Sequence, residues 1–396
     1  MASAIKSIRA LEIQDSRGNP TLQAFVTTEK AEGTASVPAG ASTGSHEAVV
    51  VAAAQAIATI NGEIAAALAG KSFDQQSLDD FLLKLDGTPN KARLGGNALL
   101  GVSMAFARAA AAEAGQELFV YLAALAGTTP ALPCPMFNVI NGGKHAPARP
   151  VGGNSGLAVQ EFLLVPAGIH GARERLDAGI ACAGALKVLL EERGESTAMG
   201  DEGGYAPHLA GTEAALDLLL QSVANAGYAT DDIRLSLDAA ASSFKKGEEV
   251  SGDQWVALAK RYQLLSIEDP FAEGDMAAFA ALQKETDALI VGDDLTVTQA
   301  PRIADAARAS AIRAVILKPN QAGTVSEAVE AARTARTAGL ILIASHRSGE
   351  TNDAFIADFA AGLACEYLKA GAPTRPERMV KYNRLMDITT LIETPA

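Results

Sequence analysis

The chain has 396 residues, of which 48% are apolar, and a formal net charge of −13. This apolar content is enough for one large core and a smaller second one. An acidic surface repels nucleic acid and anionic membranes, so we expect neither as a partner. A small anionic substrate is compatible with this charge only where cations gather at its site.

The cysteines and the N-terminal residues predict the compartment. Cys134, Cys182 and Cys365 lie far apart and form no CxxC pair, which predicts buried thiols in a reducing compartment. The opening MASAIKSIRA lacks the continuous apolar stretch of a signal peptide. Charges interrupt the alanine-rich segments, so none is expected to span a membrane. Together these features predict a cytoplasmic protein.

Residues 1–126 predict a small α+β domain. Two strand patterns, IKSIRALEI and TLQAFVTT, flank the turn sequence DSRGNP. A loop rich in Gly, Ser and Pro follows, and helical patterns then cover residues 48–69, 76–85 and 97–114. Strands followed by helices favour an α+β arrangement. The Pro-rich segment GTTPALPCP then predicts a linker into a second domain, residues 127–396.

The second domain repeats one pattern. Short apolar runs end in polar residues, helical segments lie between most of them, and the later runs recur about every 25 residues, the length of a βα unit. Eight buried parallel strands with helices between them favour a (β/α)8 barrel of the α/β class. The predicted strands are MFNVIN (136–141), QEFLLVP (160–166), TAMGDEGG (197–204), LSLDAA (235–240), LLSIEDP (264–270), LIVGDD (289–294), VILKPN (315–320) and LILIASHR (340–347).

Charged side chains stand where the predicted strands end, which in such barrels is where active sites form. Folding would bring these charges to one mouth, and the crowding of carboxylates would be costly unless cations are bound there. The residues are Glu161, Glu202, Asp238, Glu268, Asp293, Lys318, His346 and Arg347, with Lys369 one helix later.

Three of these carboxylates predict a metal site. Asp238, Glu268 and Asp293 come from successive strands and have no Cys or His ligand near them in the sequence. Such an all-oxygen set suits a hard cation, and magnesium is the usual choice. A salt-bridge cluster with Lys318 is the alternative.

The remaining residues predict acid–base chemistry on a phosphorylated substrate. A lysine beside a divalent cation is pushed towards its neutral form, so Lys318 can act as a general base. Glu202 and Glu161 come from earlier strands and approach from the other side, which suits proton abstraction at carbon with loss of hydroxide. Arg347 and Ser348 suit phosphate oxygens, and the GASTG loop (40–44) offers free N–H groups.

Nine segments together resemble the signatures of the enolase family, the phosphopyruvate hydratases of glycolysis, in order along essentially the whole chain. The resemblance implies a lyase that reversibly dehydrates 2-phospho-D-glycerate to phosphoenolpyruvate, with an N-terminal α+β capping domain on the barrel. It also implies two Mg²⁺ per active site, the second arriving with substrate, and a homodimer or higher homo-oligomer. The segments are DSRGNPT, VPAGASTG, FNVINGGKHA, QEFLLVP, GDEGGYAP, SIEDPF, VGDDLTVT, SHRSGET and KAGAP.

The same resemblance implies a role for each site residue. Lys318 would remove the proton at carbon 2, and Glu202 would be the general acid for the carbon-3 hydroxyl. The other catalytic residues would be Glu161, beside Glu202, and His145, which closes over the substrate. The metal ligands would be Asp238, Glu268 and Asp293 for the first magnesium and Ser42 for the second. The substrate-binding residues would be Lys369 at the carboxylate, Arg347 and Ser348 at the phosphate, and His346 and Gln160 in the same pocket.

The segment from Ala146 to Ser155 is longer than the resemblance implies, is rich in Pro and Gly, and joins His145 to Glu161. We interpret it as a mobile lid that tunes substrate choice.

Three alternative functions are compatible with parts of the sequence. They are a paralogue acting on a related phospho- or phosphono-acid, a racemase-type member of the wider superfamily, and a non-catalytic binding protein with this fold. The SHRSGE segment argues against the racemase-type enzyme, and the complete set of proposed catalytic residues argues against the non-catalytic protein.

Overall fold

The computed structural model describes residues 2–40, 44–146 and 156–393. The first domain is a four-stranded antiparallel sheet in the order β3-β2-β1-β4, covered by helices. Its strands are β1 Ser3–Gln14, β2 Pro20–Thr28, β3 Glu32–Ser36 and β4 Ser72–Phe73. Its helices are α1 Ala53–Thr59, α2 Ala65–Leu68, α3 Gln75–Asp86, α4 Gly96–Glu113 and α5 Leu118–Ala126, with one π-helical turn, Ile60–Ile64, between α1 and α2.

Helix α4 joins this sheet to the barrel. It is apolar on nearly all sides, and a helix of that kind has to be buried all round. One side packs on β2 and β3, where Gly33 allows the sheet to lie against the backbone of Ala105. On the other side, the Ser103 hydroxyl accepts the backbone N–H of Val325, in the second domain, at 2.9 Å. The α+β domain is therefore fixed on the barrel through its own core helix.

The second domain is a closed barrel whose strands follow one another in chain order, with β12 paired to β5. The predicted fold class is confirmed. The strands are β5 Cys134–Asn141, β6 Glu161–Val165, β7 Arg234–Asp238, β8 Ser266–Glu268, β9 Leu289–Gly292, β10 Ala314–Leu317, β11 Ile341–Ser345 and β12 Tyr367–Lys369. The helices are α6 Ala172–Glu192, α7 Thr212–Asn225, α8 Gly252–Tyr262, α9 Met276–Glu285, α10 Ala300–Arg308, α11 Pro319–Ala322, α12 Val325–Thr337, α13 Phe355–Gly362 and α14 Pro376–Glu393, with 3-10 turns at Gly143–His145 and Ala241–Ser243.

One of the eight predicted strands is wrong. Residues 197–204 form a loop and not a strand, and the β-bridges here are isolated ones that join Tyr205 to Met199 and to Ile140. Glycines allow this loop to press on β5, because a Cβ at Gly200 or Gly204 would lie within 3 Å of Asn141. The eighth strand is β12, which has three residues and is too short to show a period in the sequence.

The prediction that all eight barrel strands are parallel is wrong. Strand β6 pairs antiparallel with both β5 and β7. A parallel pair needs a crossover, usually a helix, whereas an antiparallel pair does not. Between β5 and β6 the described residues contain only a 3-10 turn, and residues 147–155, nearly all of the predicted lid, lie outside the described residues.

Two further sequence predictions concern exposure. The three cysteines are buried and free, as predicted. Among the residues that the structure describes, no helix is long and apolar enough to cross a membrane.

Candidate active site

The charged residues at the strand ends line one pocket at the mouth of the barrel. Because β6 runs opposite to its neighbours, its amino end brings Glu161 to the mouth formed by the carboxyl ends of the other strands. All predicted site residues line this pocket except Glu268, which reaches it through Lys369, and Ser42, which lies outside the described residues. Gly40, the first residue of the GASTG loop, lines the pocket, and the lining residues that the sequence did not predict are Glu47, Ala240, Asp269, Asp294 and Ser345.

Lys369 lies among three carboxylates. Its Nζ is 2.8 Å from Glu268 Oε2, 3.0 Å from Asp238 Oδ2 and 3.1 Å from Glu161 Oε2, and all four side chains are buried. Burial opposes the ammonium charge, but Asp238 and the two glutamates outweigh it and raise the pKa of Lys369 well above its ordinary value. Burial, together with neighbouring carboxylates, also raises the pKa of Glu161 and of Glu268. The site therefore holds more negative charge than one lysine balances.

Lys318 stands at the end of β10, two strands from the strand that ends at Lys369. Its Nζ is 2.5 Å from Asp293 Oδ2, while Gln321 Nε2 donates to Asp293 Oδ1 at 2.9 Å. The backbone N–H of Lys318 donates to the Thr298 hydroxyl at 2.9 Å, which fixes the start of the side chain. Burial would lower the pKa of Lys318, but the Asp293 carboxylate outweighs burial and raises it. As the structure stands, Lys318 is therefore charged.

Glu202 lies between two histidines. Its Oε2 is 3.2 Å from His346 Nε2 and accepts a hydrogen bond from Asn138 Nδ2 at 2.9 Å. Its Oε1 is 3.5 Å from His145 Nδ1, which is also 3.4 Å from Glu161 Oε1. Burial lowers the pKa of both histidines, to about 4 for His346. Burial opposes ionisation of Glu202, but His346 and His145 outweigh it and lower the pKa of this carboxyl, whereas burial and the neighbouring Glu202 raise the pKa of Glu161.

Arg347 is held by a residue that the sequence analysis missed. Its Nη1 and Nη2 donate to Glu47 Oε2 at 2.9 Å and to Glu47 Oε1 at 3.2 Å, in a buried two-point ion pair. Within the described residues, the neighbouring Ser348 hydroxyl is buried without a hydrogen-bond partner. A cation and a free hydroxyl side by side in a pocket suit an anionic oxygen group.

The pocket contains donor sets that suit a divalent cation. In the described residues, ligand atoms of His145, Glu161 and Glu202 lie within 4.8 Å of one another, as do those of Asp269, Asp293 and Asp294. The predicted trio is arranged differently, since Asp238 and Glu268 share the Lys369 ammonium and Asp293 pairs with Lys318.

The trio nevertheless fits a hard cation. Every donor is a carboxylate oxygen, Glu268 Oε1 is buried without a hydrogen-bond partner among the described residues, and the Lys369 ammonium already places a positive charge between Asp238 and Glu268. Burial raises the pKa of Asp269, and that of Asp294 to about 7, as expected where carboxylates crowd without enough positive charge.

Comparison with known proteins finds similarity across both domains. The family model described as the enolase N-terminal domain matches residues 5–122, and that of the enolase C-terminal TIM barrel domain matches residues 129–395. Enolase 1 of Entamoeba histolytica is 43% identical over 424 aligned positions, covering 97% of this chain and 95% of that protein. An enolase of Mastigamoeba balamuthi is 42% identical over 426 positions, covering 98% of this chain and 95% of that protein.

Proposed function

Because this chain belongs to the enolase family, we propose that it is a phosphopyruvate hydratase that reversibly dehydrates 2-phospho-D-glycerate to phosphoenolpyruvate in glycolysis. The observation that carries the proposal is the placement of Lys318 opposite Glu161 and Glu202. Strand β10, which ends at Lys318, lies four strands from β6 in a barrel of eight, so the two sides of one bound substrate face different groups. Removal of a proton on one side and of hydroxide on the other needs this arrangement.

Lys318 is the general base in this proposal. Its ion pair with Asp293 keeps it protonated as the structure stands, so its basic form requires the Asp293 carboxylate to be engaged by another cation. The neutral amine then takes the proton from carbon 2. The hydrogen bond from the Lys318 backbone to Thr298 keeps the side chain directed from the strand end.

Glu202 and Glu161 serve the leaving hydroxyl. Glu202 is the general acid of the proposal, and it receives hydrogen bonds or close contacts from Asn138, His346 and His145. Since burial and the neighbouring Glu202 raise the pKa of Glu161, Glu161 holds a proton more readily than Glu202 does, and it stands beside Glu202 as its partner in the dehydration step. His145 lies close to both carboxylates, with its Nδ1 3.4 Å from Glu161 and 3.5 Å from Glu202, and it would close over the substrate.

Different residues would bind the metal ions, the substrate carboxylate and the substrate phosphate. Asp238, Glu268 and Asp293 would hold the first of two Mg²⁺, and Ser42 would hold the second. A bound divalent cation supplies electrostatic stabilisation of the negative charge that grows on the substrate carboxylate. Lys369 would bind that carboxylate, Arg347 and Ser348 the phosphate, and His346 and Gln160 would complete the pocket.

The proposal also covers the roles of the two domains, the compartment, the oligomeric state and the partners of the protein. Residues 1–126 cap the site and residues 127–396 carry the chemistry. The protein is cytoplasmic and works as a homodimer or higher homo-oligomer, with a small phosphorylated hydroxy acid as its substrate and without nucleic-acid or membrane partners.

A direct assay tests the reaction. Enolpyruvate absorbance should rise when 2-phosphoglycerate and Mg²⁺ are added together, and neither alone should suffice. Lys318→Ala should lose both exchange of the carbon-2 proton with solvent deuterium and dehydration, whereas Glu202→Gln should lose dehydration and retain exchange. Lys284→Ala, on the exposed face of α9, is the matched control and should keep both. Exchange at the wild-type rate in Lys318→Ala would assign the base to another residue.

A further inference from the structure

Arg378 lies on α14, outside the pocket lining, and its side chain is completely buried. Its Nη1 donates to the Arg347 carbonyl at 2.7 Å and lies 2.6 Å from His346 Nδ1. Its Nη2 donates to the carbonyls of Ser348 at 2.7 Å and Asp201 at 2.9 Å. One guanidinium thus joins the turn that follows β11 to the turn that carries Glu202.

The contact with His346 determines where the histidine proton sits. A guanidinium stays charged in proteins and can only donate hydrogen bonds. His346 Nδ1 therefore has to accept from Arg378, which excludes a proton on that nitrogen. The remaining proton is on Nε2, the nitrogen that lies 3.2 Å from Glu202 Oε2. His346 is then neutral, with its protonated nitrogen on the side of Glu202.

We propose that Arg378 is a positioning residue for the dehydration step, which holds His346 in the neutral Nε2–H form and fixes the turns that carry Glu202 and Arg347. The catalytic consequence rests on the function proposed above. The proton position on His346 does not, because it follows from contacts made without substrate.

The charges around His346 come from three elements. Glu202 faces it from the 200–204 loop, Arg378 from α14, and Glu350 from the turn after β11. Its backbone N–H donates to the Lys369 carbonyl on β12 at 2.9 Å, while the Lys369 ammonium is turned towards the carboxylates. Burial and Arg378 oppose protonation of His346, and the two glutamates favour it. Removal of Arg378 therefore shifts His346 towards the charged form.

The packing around the arginine stem supports a precise placement. Gly371, just after β12, has a φ of +85°, and a Cβ there would lie 2.9 Å from Arg378 Cδ and 2.7 Å from the Glu202 carbonyl oxygen. The chain after β12 therefore lies directly against the arginine stem and the backbone of Glu202. The Tyr382 hydroxyl donates to the Gly371 carbonyl at 2.6 Å, which ties this crossing to α14 as well.

The test is ¹⁵N NMR of the histidine-labelled protein, combined with exchange and dehydration kinetics. Wild-type His346 should stay in the neutral Nε2–H form between about pH 5 and pH 8. Arg378→Met should make His346 titrate within that range and should lower kcat for dehydration about 100-fold. Arg378→Lys, which keeps a charge but not the planar fork, should keep His346 neutral with a smaller loss of kcat.

Arg375→Met is the matched control. Arg375 also donates to the Asp201 carbonyl, at 3.1 Å, and in the described structure it makes no hydrogen bond to His346, so its loss should leave the His346 signals and kcat unchanged. An imidazolium or an Nδ1–H form in the wild type would overturn the proposal, and so would loss of kcat in Arg378→Met with His346 still neutral. If Arg378→Met does not fold, the proposal is tested by the NMR titration of His346 in the wild type and by the NMR and kcat of Arg378→Lys. A wild type without dehydration activity would refute the proposed function and leave the NMR result intact.

Discussion

Replacing Glu47 by glutamine should remove the Glu47 carboxylate from its buried ion pair with the Arg347 guanidinium. The two side chains are at least 95% buried, and the pair closes through two hydrogen bonds of 2.9 and 3.2 Å. Glutamine has nearly the same shape, so the change removes charge and one acceptor while leaving the packing in place. Loss of one partner from a buried ion pair costs about 3–5 kcal/mol, because the other charge stays desolvated.

The expected shift in melting temperature follows from the size of the chain. An unfolding entropy of about 2.1 cal/mol/K per residue gives about 0.8 kcal/mol/K over this chain, so a loss of about 3–5 kcal/mol lowers Tm by about 4–6 °C. Inorganic phosphate should stabilise Glu47→Gln more than it stabilises the wild type, because phosphate supplies a negative charge near Arg347 that the Glu47 carboxylate no longer provides.

The matched control is Glu63→Gln. Glu63 forms the same two-point pair with Arg93, at 2.9 and 3.0 Å, but both side chains are more than two-fifths exposed. An exposed ion pair contributes little to stability, so this variant should have the same melting temperature as the wild type. Calorimetry of the three proteins, with and without phosphate, gives the comparison. Equal melting temperatures for the Glu47 and Glu63 variants would refute the assignment of Glu47 as the partner that stabilises Arg347.

Three further changes test the packing, the pH dependence and the metal site. Gly179→Ala should lower the urea midpoint of unfolding strongly, because the new Cβ would lie 2.2 Å from the Phe137 ring. Gly184→Ala is the control on the same helix, since a Cβ there would have no neighbouring atom within 4 Å. This variant should have an unchanged free energy of unfolding or one raised by about 0.5–1 kcal/mol. Burial raises the pKa of Asp79 from 3.8 to about 6, so between these values the unfolded state loses its proton first and stability falls as pH rises. Asp79→Asn should remove that fall, and an unchanged pH profile of urea unfolding would contradict this account. Glu268→Gln should abolish activity and tight Mg²⁺ binding in titration calorimetry with an unchanged circular dichroism spectrum; full wild-type activity after exhaustive chelation would exclude the metal assignment.

Much of the pocket could be predicted from local sequence. Asp238, Glu268, Asp293 and Lys318 each end or directly follow an apolar run, and the structure places each at the carboxyl end of its strand. Where a strand stops depends on its own residues and their near neighbours, so this information is present in a short window of sequence. The same holds for β1 and β2, where alternation and a turn signal identify the strands.

Strand direction and the shortest strand needed the tertiary structure. Glu161 reaches the mouth from the amino end of β6, which no pattern within QEFLLVP distinguishes from a parallel strand. The GDEGG segment looks like a strand end, but its glycines serve a loop packed on β5, and three-residue β12 takes the eighth place.

The long-range partners were decided by tertiary structure alone. Glu47 and Arg347 are 300 residues apart, and Arg378 reaches His346 from the C-terminal helix. Sequence shows that each of these residues carries a charge or a proton, but it does not show which of the chain's many charges it will meet. That pairing depends on how α14 and the 44–47 turn pack at the barrel mouth, and burial of both partners is what turns an ordinary surface charge into a fixed part of the site.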